Sequence, residues 1–249
     1  MNKKNILIAG GCGLIGSTLV NNFIVKNNVV VIDNNKSKLS ILKKEKNTNN
    51  LLIFNSSISN ESTLKKILAK CQTKIGKIDV AINCILPPVN SRKKFEDIDL
   101  KYLNSEFNNH LSGSIIFSKV MINHFINNKV GNLINFGSIF ASNAPKFNHY
   151  EDTKMINPLE YGVIKSGIVY MTKYLAKYLK NKNIRVNCVS PGGILDKQPS
   201  KFKQRYKKDS LNKGLLEPND LVGVIKFLAS DRSLYLNGQN IIIDDGWSL

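Results

Sequence analysis

The feature that most constrains this chain is a series of seven short, apolar, β-branched runs separated by stretches of helical periodicity. The runs are NILIA (5–9), VVVID (29–33), LLIF (51–54), IDVAIN (78–83), NLINF (132–136), IRVNCV (184–189) and NIIID (240–244). Helical patterning falls near 14–26, 36–46, 61–74, 97–127, 161–180 and 218–229. Strand–helix alternation of this kind predicts an α/β fold with a doubly wound parallel sheet of about seven strands and helices on both faces. The runs are apolar throughout rather than alternating, as strands covered on both faces must be. No repeat, low-complexity block or linker divides the chain, so 1–249 reads as a single domain.

The first run ends in AGGCGLIG. Gly11, Gly13 and Gly16 fit G-x-G-x-x-G, and Gly10, Gly13 and Gly16 fit G-x-x-G-x-x-G. Glycines at this spacing allow a tight turn and let backbone approach a pyrophosphate, while the following helix N-terminus offers free N–H groups. Asp33 ends the second run, 22 residues past Gly11, where a ribose-binding carboxylate is expected. A carboxylate there accepts from the ribose hydroxyls and repels a 2′-phosphate, so NAD is expected over NADP. Lys36 and Lys38 lie close by and weigh the other way.

A second signal is YGVIK (161–165), which sets Tyr161 one helical turn before Lys165, on the same face. A phenol ordinarily has a pKa near ~10, too high for easy proton loss at neutral pH. A lysine charge one turn away would stabilise the phenolate.

The net charge of +18 is nearly all lysine, with only Arg92, Arg185, Arg205 and Arg232 as arginines. No basic stretch is interleaved with aromatics, and base readers favour arginine, so nucleic acid is not expected as a partner. No apolar run reaches the roughly 20 residues of a membrane span, and the amino-terminal MNKKNILIAGG has no leader-like apolar core. Cys12, Cys71, Cys84 and Cys188 are scattered, so neither a metal site nor a disulfide framework is expected, and a reducing cytoplasm is the expected compartment.

Together these motifs resemble the short-chain dehydrogenase/reductase family, over nearly the whole length. Besides the glycine loop and YGVIK, INC (82–84) is similar to the stretch after the family's fourth strand. INFGS (134–138) resembles the segment ending in the catalytic serine, VNCVSPGGI (186–194) the Pro-Gly turn, and FLASDRSLYLNGQNIIIDDG (227–246) the carboxy-terminal strand. The resemblance implies a Rossmann fold with a cofactor half at about 1–137 and a catalytic and substrate half at about 138–249. It implies a nicotinamide-dependent exchange of hydride with a secondary alcohol or ketone. Tyr161 would be the acid/base. Lys165 would support the phenolate and hold the nicotinamide ribose, and Ser138 would orient the substrate oxygen. Cofactor contacts would come from Gly10, Gly13, Leu14, Ile15, Gly16, Asp33, Ser57, Ile58, Asn83, Tyr161, Lys165, Pro191, Gly192 and Ile194.

The chain departs from the family pattern in places. Aligning NNHLSG (108–113) puts His110 where the family has its catalytic asparagine, whose backbone carbonyl holds a water for the lysine. Ser57 replaces an adenine-contacting aspartate, Ile85-Leu86 replace Ala-Gly, and Asp196 stands at a threonine position.

Between Ser138 and Tyr161 lies a long polar segment with prolines and aromatics, expected to line the substrate site. The segment 195–214 follows the Pro-Gly turn as a lid carrying Lys197, Lys201, Lys203, Arg205, Lys207 and Lys208, which suits an anionic substrate. PKF with Tyr150 after the serine, SPGGI, and the DDGWSL end resemble bacterial oxidoreductases of flagellin-modification and legionaminic-type sugar pathways. The resemblance thus implies a phosphorylated or nucleotide-linked sugar as small-molecule substrate. A 3-oxoacyl or polyol reductase, or a non-catalytic dinucleotide sensor, stands as the alternative. In 161–180, Ile164, Ile168, Met171 and Leu175 form one apolar stripe, and Val163, Tyr170, Tyr174 and Tyr178 another. One sheet contact needs only one stripe, so a homodimer or homotetramer is expected.

Overall fold

A computed structural model describes residues 3–46, 48–86 and 92–249, so Met1 and Asn2 of the amino-terminal reading lie outside it. Seven strands form one sheet: β1 (Asn5–Ala9), β2 (Asn28–Asp33), β3 (Leu51–Asn55), β4 (Val80–Asn83), β5 (Gly131–Phe136), β6 (Ile184–Pro191) and β7 (Asn240–Ile243). Their order is β3-β2-β1-β4-β5-β6-β7, and every pairing is parallel. The order reverses at β1–β4, opening a crevice at the carboxyl ends of these two strands, where ligands bind in such sheets.

The period of two along each strand sorts the core into two layers. Ile6, Ile8, Val29, Val31, Val80, Ile82 and Ile134 pack on one face with α1 (Leu14–Phe23) and α8 (Val222–Ala229). Leu7, Val30, Ile32, Ala81, Leu133 and Val186 pack on the other with α3 (Glu61–Ile75) and α5 (Gly113–Asn127). Side-chain caps start three of the helices. Asn35 accepts from Lys38 N to begin α2 (Lys36–Glu45), Asn60 from Thr63 N to begin α3, and Asp99 from Tyr102 N to begin α4 (Leu100–Glu106). No helix among the described residues is long and apolar enough to cross a membrane.

The structure differs from the sequence reading in three places. The expected strand 78–83 begins only at Val80, because Ile78 N is taken by His124 Nε2 at 3.0 Å. The expected helix over 97–127 is α4 and α5 joined by a π-helical segment, Phe107–Ser112. The segment 195–214 contains a helix of its own, α7 (Ser200–Lys208). Arg185, one of the four arginines, is a buried structural residue. Its guanidinium donates to the carbonyls of Leu228, Ser230 and Ser233, closing the end of α8.

Candidate active site

The glycine loop leaves β1 at the crevice. Gly10 takes φ +77°, a conformation that disfavours any side chain. Its N–H donates to Ile32 O at 2.8 Å and its carbonyl accepts from Gly13 N at 3.0 Å. A Cβ on Gly16 would sit 2.1 Å from Gly10 O, so only glycine lets the loop fold back on α1. Leu14, Ile15 and Gly16 form the first turn of α1, whose N–H groups lack carbonyl partners within the helix. Asp33 braces this loop as well as facing it: Oδ2 accepts from Cys12 N and Oδ1 from Asn35 N, both at 2.9 Å.

Across the crevice, Asn83 is buried and donates to Ser114 Oγ at 3.1 Å. Pro191 ends β6, Gly192 N donates to Ile243 O at 2.8 Å, and Ile194 bridges to Leu216. A Cβ on Gly192 would meet Tyr206 Oη at 2.8 Å, so this turn too is shaped for close approach. Ser57 is exposed with its hydroxyl on Ser59 Oγ, and Ile58 is buried against Gly113. Asp196 is exposed. The residues present fit a dinucleotide: two side-chain-free cradles flank the switch point, with a carboxylate beside the first.

The candidate catalytic residues are carried by the end of β5 and by α6 (Leu159–Tyr178). Ser138 follows β5, buried, with its Oγ accepting from Phe140 N at 3.2 Å. Lys165 is only 2% exposed, and its Nζ donates to Phe136 O at 2.9 Å. That bond anchors the ammonium to the end of β5 and leaves it 5.8 Å from the centroid of the Tyr161 ring. Tyr161 is half-buried and packs edge-on to Phe140, centroids 6.5 Å apart.

His110 lies buried in the π-helical segment, Nε2 3.6 Å from Glu106 Oε2 and Nδ1 without a partner. Burial, with help from the Lys165 charge, pushes it down to about 4, so it is a neutral imidazole at physiological pH. Among the described residues, no three His, Cys, Asp or Glu side chains gather as a metal site would require. Burial pushes Cys12 and Cys188 up to about 11, leaving both as thiols.

Sequence reasoning missed several residues at this site. Glu160 and Glu106 are both buried beside Tyr161, and the only sequence signal is an acid directly ahead of the tyrosine. The lid was read from its basic residues, and the structure adds an apolar inner face to it. The buried side chains of α7 are Phe202 and Tyr206: Tyr206 stacks on Trp247, and His149 packs edge-on to Phe202 and tilted against Tyr206. Tyr206 Oη accepts from Gly193 N at 2.7 Å, tying the lid to the Pro-Gly turn, and His149 Nε2 meets Asp209 Oδ2 at 2.5 Å. Lys201 and Arg205 face Asp152 at 3.5 and 3.4 Å, whereas Lys197, Lys203, Lys207 and Lys208 are exposed. The i, i+4 spacing of Phe202 and Tyr206 was the signal for an aromatic inner face.

Comparisons with known proteins agree with this geometry. Residues 15–248 match the family model described as Enoyl-(Acyl carrier protein) reductase. The chain is 37% identical to the Post-translational flagellin modification protein A of Campylobacter coli, covering 100% of both chains. It is 28% identical to the 7alpha-hydroxysteroid dehydrogenase of Bacteroides fragilis, covering 99% and 95%. Its fold matches a crystal structure of a short-chain dehydrogenase from Leptospira borgpetersenii with bound NAD+, with a TM-score of 0.89 and 32% identity over 100% and 94% of the two chains. The chain belongs to the short-chain dehydrogenase/reductase family of nicotinamide-dependent oxidoreductases.

Proposed function

We propose that this oxidoreductase uses NAD to interconvert a secondary alcohol and a ketone on a phosphorylated or nucleotide-linked sugar. The convergence of Ser138, Tyr161 and Lys165 at the end of β5 carries the reading. When bound, the nicotinamide supplies or accepts the hydride. Tyr161 exchanges the proton on the substrate oxygen, Lys165 steadies the phenolate, and Ser138 donates to the same oxygen to fix its orientation. Leu14, Ile15, Gly16, Asn83, Pro191, Gly192 and Ile194 would hold the dinucleotide, with His110 supporting Lys165 from the π-helical segment. The flagellin-modification relative supports a sugar substrate. The exposed lid lysines suit an anionic and polar ring better than an acyl chain. A panel of sugar phosphates, nucleotide sugars and neutral polyols, read by NAD-dependent absorbance, is expected to select a charged sugar. Turnover confined to neutral alcohols or to 3-oxoacyl thioesters would reject the substrate class.

Preference for NAD rests on Asp33, whose carboxylate is held by Cys12 N and Asn35 N where a 2′-phosphate would have to fit. Titration with each dinucleotide is expected to give at least about tenfold tighter binding of NAD, or 1.4 kcal/mol. Tighter NADP binding would show that Lys36 or Lys38 dominates.

Self-association is proposed from α6. Ile164 and Ile168 are buried in the chain, while Val163, Tyr170, Tyr174 and Tyr178 are left exposed as a second stripe. Covering each large apolar side chain contributes about 1.5–3 kcal/mol, so four on each copy suffice to drive pairing. Light scattering at micromolar concentration is expected to give a dimer or tetramer, and a monomer would exclude it.

A further inference from the structure

His149 takes no part in the chemistry described above, yet it is 1% exposed and built into the substrate side of the site. It ends a short 3₁₀ turn, Phe147–His149, in the segment between Ser138 and Tyr161. Three rings of the lid cluster box it in, with centroids at 6.1 Å for Phe202, 5.8 Å for Tyr206 and 6.0 Å for Trp247. From this box Nε2 reaches Asp209 Oδ2 at 2.5 Å. A carboxylate only accepts, so the imidazole is the donor. That bond, more than the nearby Lys146 charge, holds the Asp209 carboxyl below the usual carboxylate range.

Asp209 closes the carboxyl end of α7, where the helix dipole disfavours an acid. Its partners offset that cost: His149 on Oδ2, and Lys146 Nζ 3.5 Å from Oδ1. Lys146 stands at the other end of the same turn, its carbonyl accepting from His149 N at 3.0 Å. Both ends of one turn thus clasp a single carboxylate of the lid. The other ties between these segments lie outside. Arg205 donates to Glu151 O, and Lys201 and Arg205 face an Asp152 side chain that is 66% exposed. Surface pairs of that kind contribute little and weaken with salt. The clasp reaches the reaction centre through rings. Trp247 stacks on Tyr206 and meets Phe140 edge-on, both at 5.7 Å, and Phe140 packs against Tyr161.

We propose that the His149–Asp209 pair latches α7 to the 146–152 segment, so that the two form one preformed wall of the substrate site and open together. The wall is in place before substrate arrives, so little ordering is left to be offset on binding, and selection falls on shape. His149 and Asp209 are positioning residues, acting on the site through Tyr206 and Trp247. The latch is independent of which alcohol or ketone is turned over, and its test needs no substrate.

Limited trypsin digestion of the purified full-length protein, read by mass spectrometry, measures opening of the lid, because cleavage tracks the population of the open form. Asp209→Ala is expected to speed cleavage after Lys203 and Arg205 in α7 at least about tenfold, with cleavage after Lys154 rising in step. Exposed Lys43 and Lys44 at the end of α2 serve as the internal reference and should be cut at the wild-type rate. His149→Phe keeps an aromatic ring in the box and removes the donor, and should match Asp209→Ala. The double variant should be no faster than either single one, as partners in one contact are not additive. Trp247 is the sole tryptophan, so its emission should move to the red in both single variants as water reaches the ring. Wild-type cleavage in Asp209→Ala, or equal acceleration at Lys43 and Lys44, overturns the latch. Multiplied effects in the double variant, or release of α7 with the Lys154 bond still protected, does the same. So does opening of the wild-type lid by salt alone, which would show that the exposed Asp152 pairs hold it.

Discussion

Replacing Tyr161 by phenylalanine is expected to lower turnover by 10²–10⁴-fold, the usual contribution of a positioned acid–base group. The substitution removes one oxygen and little else. The ring remains edge-on to Phe140, and Lys165 keeps its bond to Phe136 O, because neither contact uses the phenol oxygen. NAD affinity should therefore stay within a few-fold of wild type, and the loss should fall on kcat rather than KM. Single-turnover absorbance and fluorescence titration measure the two quantities. A variant retaining more than about a tenth of the wild-type rate would move the proton-transfer role to another group.

Gly16→Ala should abolish dinucleotide binding by a different route. Two effects compete. Alanine in a helix is favoured over glycine by about 1 kcal/mol. Against it, the new Cβ would stand 2.1 Å from Gly10 O and 2.9 Å from Gly11 Cα, both backbone atoms of the loop. Backbone held at both ends by Ile32 O and Gly13 N cannot yield by that much without opening the cradle, so the clash wins. A loss of about 100-fold in NAD affinity is expected, equivalent to about 2.7 kcal/mol. Gly223→Ala is the matched control. It also adds a methyl group to a helical glycine, with no atom within 4 Å of the new Cβ, and should leave affinity unchanged. Equal effects of the two substitutions would mean that helix propensity, not the cradle, is being measured.

Most of the sheet was legible because its signal is local: a run of β-branched residues needs no knowledge of its neighbours to read as a buried strand. The glycine loop, Asp33 and the Tyr161–Lys165 spacing were legible for the same reason, each being fixed within a turn or a strand end. What sequence reading missed depends on contacts between distant segments. Glu106 and Glu160 are 54 residues apart and look like ordinary helix-surface acids until α4 and α6 close over them. The lid's inner face was missed because lysines outnumber aromatics there, although burial is decided by the two residues that face inward, Phe202 and Tyr206. The strand expected from Ile78 starts late because a histidine 46 residues away captures its N–H.

The π-helical segment lets this chain carry one extra residue between α4 and α5 without turning one against the other. An α-helix advances about 100° and 1.5 Å per residue, and a π turn accommodates one residue more than an α turn. Deleting a single residue between Phe107 and Ser112 would let α4 run straight into α5. Tyr102 and Glu106 would keep nearly their present phase, because the π turn takes up its extra residue within one rotation. Winding all six residues as α-helix would instead swing both side chains roughly 100° around the axis relative to α5, away from Glu160 and Tyr161. The bulge, rather than the residue count, is what holds α4 and α5 in register.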